Sequence, residues 1–426
     1  MMIVLRNGRI IDPARGVDRV GDLILDKGRI VSDAESANTV NIKVADCTGM
    51  WVMPGFIDLR AHLGEPGLED RDTMETSLAS AARGGYTVVA GHPGTEPCCD
   101  NRATCQYLRQ RGQEVGGPLV LPTGALTRGM KGERLSDLGE MAESGVTMAG
   151  DTDFCVADAS TMRHAMEYSL HFGLRIQSFP VDKSLWGGAL LREGFSGTRL
   201  GLPGMPGMTE TAPLMRDLML AATTGAPLHV ARISGKESLE WLKIFKSRYD
   251  VDVTVDVTPY HLYFCDEDLE TYRSSLHFRP PLGSREDLRA LRRALRDGVI
   301  DAVASDHMPR NLVDKMVELD QSAPGCVGFE TTAAALSTLV AADMLSPTRM
   351  TEALSTSPAR ILGLKDRGSL APGFVADVTV MDPAAVWTVD AQQFATRSTV
   401  TPFAGREFTG RVVMTIAQGK VLHDQR

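Results

Sequence analysis

No apolar run in this sequence of 426 residues is long enough to cross a membrane. The opening "MMIVLRNGRIID" is interrupted by Arg6, Asn7, Gly8 and Arg9, so it does not read as a signal peptide. A paired cysteine framework is also missing. The seven cysteines are odd in number, spread over a long chain and without a CxxC spacing, which argues against disulfide scaffolding and a zinc ribbon and fits a reducing cytoplasm. Cys98-Cys99 reads as two small residues in a turn after a strand rather than as a redox pair. An excess of positive charge is absent too. The net charge is −9, which disfavours nucleic acid and anionic membranes as partners.

What is present is an ordinary globular composition, 43% hydrophobic and 23% charged, in a chain longer than one average domain. The first fifty residues form short β-branched runs separated by turns, and the last sixty resemble them ("ADVTVMDP", "RVVMTIAQGKVL"). Between them, strand-like runs alternate with amphipathic helical stretches. The strands are "VMPGFIDL", "YTVVAGH", "LVLPTGA", "VTMAGD", "LRIQSF", "PLHVARI", "VDVTVDVT" and "IDAVASDH". Eight βα units predict a (β/α)8 TIM barrel over residues 53–359. Residues 1–52 and 360–426 are expected to combine into one small β domain.

In such a barrel the chemistry sits at the C-terminal strand ends. Those ends carry Arg60 and His62, His92 to Thr95, Asp151 to Asp153, Phe179, Arg232, Tyr260-His261 and Asp306-His307. The first of them, in "GFIDLRAHLGEPG", poses the sharpest question. Residues two apart on a strand face the same way, so Arg60 and His62 point together. Two histidines at that spacing would suggest a metal pair, yet one is an arginine.

The blocks "VMPGFIDLRAHLGEPGLED", "AARGGYTVVAGHPGTEP", "RLGLPGMP", "VDVTPYHLYF", "ASDHMP", "APGCVGFETT", "STSPARILGL" and "GSLAPGFVADVTVMDP" resemble those of the dihydroorotases of the amidohydrolase superfamily, nearly end to end. That resemblance implies the amidohydrolase barrel, with ring-amide hydrolysis by a metal-bound hydroxide and an aspartate that shuttles the proton. It also implies where the ligands should be. Arg60 stands where the family has the first histidine of a pair, and His62 keeps the second. Thr152 falls on a carboxylate position, between Asp151 and Asp153, where a slip of one residue would restore an acid. Phe179 and Arg232 fall on histidine positions, and Asp306 is retained. Gly64, Gly94 and Arg279 replace an arginine and two asparagines of the substrate clamp.

Arginine stays protonated at any working pH. One guanidinium about 4 Å from a divalent cation costs on the order of 8 kcal/mol at an effective dielectric of ~20. Arg60 is therefore expected to replace the metal's charge, and at least one of Arg60 and Arg232 to lie within hydrogen-bonding reach of Asp306, with Phe179 filling part of the remaining space. Two functional readings follow. In the first, this is a non-catalytic dihydroorotase-like protein. It has no cofactor and no catalytic residue, only a remnant pocket of Arg60, His62, Thr152, Phe179, Arg232 and Asp306. The resemblance then implies an oligomeric assembly with aspartate carbamoyltransferase in pyrimidine biosynthesis. In the second, it is a divergent dihydroorotase or another cyclic-amide amidohydrolase, with zinc at the residual ligand positions His62 and Asp306.

Overall fold

The computed structural model describes residues 2–32 and 42–426. The N-terminal strands are β1 (Met2–Asp12), β2 (Val17–Asp26), β3 (Arg29–Val31), β4 (Ile42–Asp46) and β5 (Trp51–Pro54). Next come β6 (Phe56–Ala61), β7 (Tyr86–Gly91), β8 (Leu119–Pro122), β9 (Met148–Ala149) and β10 (Arg175–Ser178). The short pair β11 (Leu191–Arg192) and β12 (Gly204–Met205) precedes β13 (Leu228–Val230), β14 (Val253–Val257) and β15 (Ala302–Val303). The chain closes with β16 (Val378–Thr388), β17 (Glu407–Ala417) and β18 (Lys420–Asp424).

Eight of these strands make the barrel. β6, β7 and β8 pair in parallel, as do β9, β10, β13, β14 and β15 in that spatial order. Parallel bridges Gly124–Ala149 and Ala61–His307 join the two arcs. Helices cover the outside, so both faces of a strand such as β6 are buried and the strands read as nearly continuous apolar runs. The intervening helices start where the sequence supplies a cap. Thr73 accepts from the Thr76 N–H before Met74–Arg83, Asp158 from Thr161 before Ala159–Ser169, and Ser284 from Asp287 before Arg285–Arg296.

The termini share one sheet, in the order β18-β17-β16-β5-β1-β2-β3, with β4 also on β1. Its apolar side includes Ile3, Leu5, Val52, Val378, Met414 and Ile416. The run "VMPGFIDL", read from sequence as a single strand, is in fact two. β5 pairs with β1 and β16 in the small sheet, and the barrel begins at Phe56 rather than at residue 53. Gly55 is the joint. Its N–H donates to the Asp377 carbonyl, and a Cβ there would run into Thr87 of β7. At the other end, helix Ser357–Ile361 runs through the expected boundary at 360 and belongs with the barrel, since Arg175 Nε donates to the Ile361 carbonyl at 3.0 Å. All seven cysteines are free thiols. Among the described residues no helix is long and apolar enough to cross a membrane.

Candidate active site at the barrel mouth

Asp58, Arg60 and His62 leave β6 on one face, and the neighbouring strand ends meet them. Arg60 Nε donates to Asp306 Oδ1 at 3.0 Å, so the expected arginine–aspartate contact is made by Arg60. Its Nη1 lies 3.5 Å from Asp256 Oδ2, a partner that the sequence reading missed. The Arg60 and Asp256 side chains are 2% and 0% exposed. Asp256 also accepts from the Arg232 N–H at 2.8 Å and from His229 Nε2 at 3.0 Å, while His229 Nδ1 meets Thr254 Oγ1 at 2.9 Å. Asp58 sits beneath, accepting from Ser305 N–H and Oγ, each at 2.7 Å.

These carboxylates are held differently. Burial acts to raise Asp256, but Arg60 and then the His229 hydrogen bond overcome it and hold the acid at about 2. For Asp58 burial wins over the Ser305 hydrogen bonds and pushes it up to about 7. Burial also opposes the charge on Arg60, and the carboxylates of Asp306 and Asp256 more than restore it.

Arg232 follows β13 in the left-handed region (φ 56°), as does Asp306 after β15 (φ 50°). Side chains other than glycine, and to a lesser degree Asn and Asp, avoid that backbone, and such outliers concentrate at functional sites. The Arg232 guanidinium lies 3.7 Å from the centre of the Phe179 ring, a desolvated cation–π contact of about 2 kcal/mol. It donates to the Arg279 carbonyl at 2.9 Å and to the Thr152 carbonyl, and its Nη1 is 3.9 Å from Asp306 Oδ1. Burial, then the charge of Arg60, lowers Arg232 to about 9, which still leaves it charged at neutral pH.

Thr152 does not act as an acid substitute. Its hydroxyl is 2.6 Å from His92 Nε2, whose Nδ1 accepts from the Gly94 N–H at 2.9 Å. That assigns the ring proton to Nε2, with Thr152 accepting. A slip of one residue does not restore a ligand either. Asp151 is consumed by Leu126 and Thr127, and Asp153 lies outside, 3.9 Å from Arg279. His62 stacks on His92 with ring centres 3.7 Å apart, and burial followed by the surrounding arginines, Arg310 first, holds it well below its usual value. His307, retained in the sequence, serves the scaffold by stacking on Phe329 at 4.1 Å. Gly64 has φ 78°, and a Cβ there would run into the Asp72 carbonyl, so the backbone itself excludes a clamp side chain at that position.

The remaining space is small. A cavity of about 30 Å³ lies between Asp306, Arg232, Arg279, Arg310 and Met308, and another of about 10 Å³ lies between His62, Arg71 and Met308. Met308 is the wall common to both.

The divalent metal implied by the sequence resemblance does not fit these residues. The Arg60 guanidinium occupies the point where strand-end donors converge. Phe179 offers no donor, and Asp306 and Asp256 are already turned to a cation. Among the described residues, the one group of three close ligand-type atoms, Cys265, Asp266 and Glu267, is not at the mouth.

Residues 49–238 match the dihydro-orotase-like family model and 251–423 the amidohydrolase family model. The dihydroorotase of Pelobacter propionicus is 38% identical over 99% of this chain and 100% of its own length. That of Anaeromyxobacter dehalogenans is 39% identical over 100% of this chain and 98% of its own. The chain belongs to the dihydroorotase-like branch of the amidohydrolases. Among solved structures, the L-hydantoinase of Arthrobacter aurescens superposes with a TM-score of 0.86 at 21% identity, covering 99% of this chain and 96% of that one. The dihydropyrimidinase of Brevibacillus agri gives 0.83 at 19% identity, covering 100% and 95%. These likenesses share the barrel and the β domain. They also correct the first functional reading. A non-catalytic assembly partner is not what these full-length relatives point to, because they carry the name of the enzyme.

Asp256 was missed although it left a signal. An aspartate inside "VDVTVDVT", a strand buried on both faces, needs a cationic or hydrogen-bonding partner.

Proposed function

We propose that this chain is a hydrolase of cyclic amides of the dihydroorotate type. The observation that carries the reading is kinship over the whole length, 38% identity across 99% of the chain, with proteins named dihydroorotase. In ring opening, a water oxygen bonds to the ring carbonyl carbon, the carbon–nitrogen bond breaks, and the nitrogen takes a proton. Of the two carboxylates on the mouth cavity, Asp306 is buried and Asp153 is exposed, and Asp306 is the one placed to act. It takes the proton from water and returns it to the leaving nitrogen. Negative charge developing on the carbonyl oxygen faces Arg60 and Arg232. Arg60 Nη2 and Arg232 Nε have no hydrogen-bond partner within the chain, so they are free to donate there, as preorganised positive groups should. Arg279 and Arg310 at the rim suit an anionic substrate. The cavity of about 30 Å³ has room for little more than water, so wall side chains such as Met308, shared with the neighbouring cavity, have to move for a ring to enter.

The test is ring opening of dihydroorotate, and closure of N-carbamoyl-aspartate, by purified protein alongside Asp306→Asn. Turnover should fall by about 10²- to 10⁴-fold in the variant. A parent protein no faster than Asp306→Asn in either direction would overturn the reading.

A further inference from the structure

We propose that Arg60 is a built-in cation that takes the place of a metal ion and ties the carboxylates of two other barrel strands, Asp256 and Asp306, to its guanidinium.

Arg60 rises from β6 into the barrel mouth and reaches Asp306 after β15 at 3.0 Å and Asp256 of β14 at 3.5 Å. Asp58, two residues before it on its own strand, faces the same way and is fixed by Ser305 next to Asp306. All of these side chains are buried. A small cation at the mouth would gather the same strand ends, so one covalently attached group does the organising here.

Charge balance closes without an ion. Asp256 and Asp306 contribute two negative charges, and Arg60 and Arg232, whose Nη1 is 3.9 Å from Asp306, contribute two positive ones. Asp58 is pushed up toward neutrality. A divalent cation added to this set would leave an uncompensated double positive charge in a dry site beside two guanidiniums, which is strongly repulsive. A planar guanidinium also does what a spherical ion cannot. Its fork presents Nε to Asp306 in a hydrogen bond and Nη1 to Asp256 in an ion pair at 3.5 Å, in fixed directions, and Nη2 has no hydrogen-bond partner in the chain. The arrangement stands whether or not the chain turns over dihydroorotate, because its readouts are metal content and stability.

Three measurements on the full chain decide it. First, protein purified without chelator should hold well below one equivalent of zinc, and its melting midpoint should not move on adding either a chelator or zinc. Near-stoichiometric zinc, or a midpoint that falls with chelator, would overturn the inference. Second, Arg60→Ala should melt lower than the parent, and millimolar guanidinium should restore part of the loss while the same concentration of urea, alike in shape but neutral, should not. Equal rescue by urea, or no loss in the variant, would reduce Arg60 to a space-filling side chain. Third, Arg60→Lys keeps the charge but not the fork, and should melt between the parent and Arg60→Met. Should Arg60→Ala not fold, the zinc measurement and this pair still decide. Lysine no better than methionine would overturn the charge argument.

Discussion

Replacing Asp306 by asparagine tests the mouth with little change of shape. In the fold, Asp306 Oδ1 lies 3.0 Å from Arg60 Nε and 3.9 Å from Arg232 Nη1, with side-chain exposures of 6%, 2% and 3%. At an effective dielectric of ~20, the two attractions are worth about 5.5 and 4.3 kcal/mol. Asparagine keeps an oxygen that can accept from Arg60 Nε but gives up the charge, so two buried guanidiniums then share Asp256 alone. Part of that loss is offset because a neutral amide is cheaper to bury than a carboxylate. The net expectation is a destabilisation of about 3–5 kcal/mol, the range for leaving one side of a buried pair uncompensated. Urea denaturation followed by far-UV circular dichroism reads it as a lower midpoint of the first transition at unchanged slope. Asp153→Asn is the control. That carboxylate is 58% exposed and 3.9 Å from Arg279, and removing its charge should change stability by no more than about 0.5 kcal/mol. An Asp306→Asn protein as stable as Asp153→Asn would refute the ion-pair account of the mouth.

Three further outcomes follow from the same residues. Asp256, held at about 2 by Arg60 and His229 against burial, stabilises the fold as an anion. That contribution, about 2 kcal/mol, is complete above the ordinary carboxylate value near 4 and is lost as pH falls toward 2, so Asp256→Asn should flatten acid unfolding in that window. Asp58, raised to about 7 by burial, keeps in the fold a proton that the unfolded chain releases. Stability should therefore fall as pH rises from about 4 to 7, by up to about 4 kcal/mol, and then level off; a titration of unfolding free energy on Asp58→Asn should lack that slope. Gly64→Ala combines a positive φ with a Cβ driven into the Asp72 carbonyl and should cost at least about 1–3 kcal/mol by thermal melting, whereas Gly49→Ala, at a similar φ with open space around it, should cost less.

The barrel was readable because its signal is repeated. Each of the eight strands is a short apolar run followed by polar residues, and no single run has to be decisive. The misplaced start of the barrel shows what repetition cannot supply. "VMPGFIDL" is apolar up to Asp58, so hydrophobicity gives no reason to cut it at Gly55, and that cut is set by Thr87 of a neighbouring strand, far along the chain. The site was readable at Arg60 and Asp306, because a charge at a buried strand end requires an opposite charge nearby. His92 and Thr152 were placed at the same mouth, but the bond between them joins two loops that no local pattern links.

The two kinds of evidence therefore constrain different things. Kinship over the full length fixes the barrel and favours the family's reaction. The guanidiniums constrain the charge that any reaction at this mouth has to work with. A fold of this kind tolerates the exchange because its strands are held by their own ladder and by the helices outside, leaving the mouth free to vary. The constraint on the mouth is that buried charge be compensated. In this chain Arg60 and Arg232 meet it with side chains from β6 and the end of β13, each close enough to Asp306 that neither the carboxylate nor the guanidiniums are stranded. Charge compensation at the barrel mouth then rests on this pair of residues, and Arg60→His with Arg232 left in place should lower the melting midpoint, because Asp306 and Asp256 both lose their shared guanidinium.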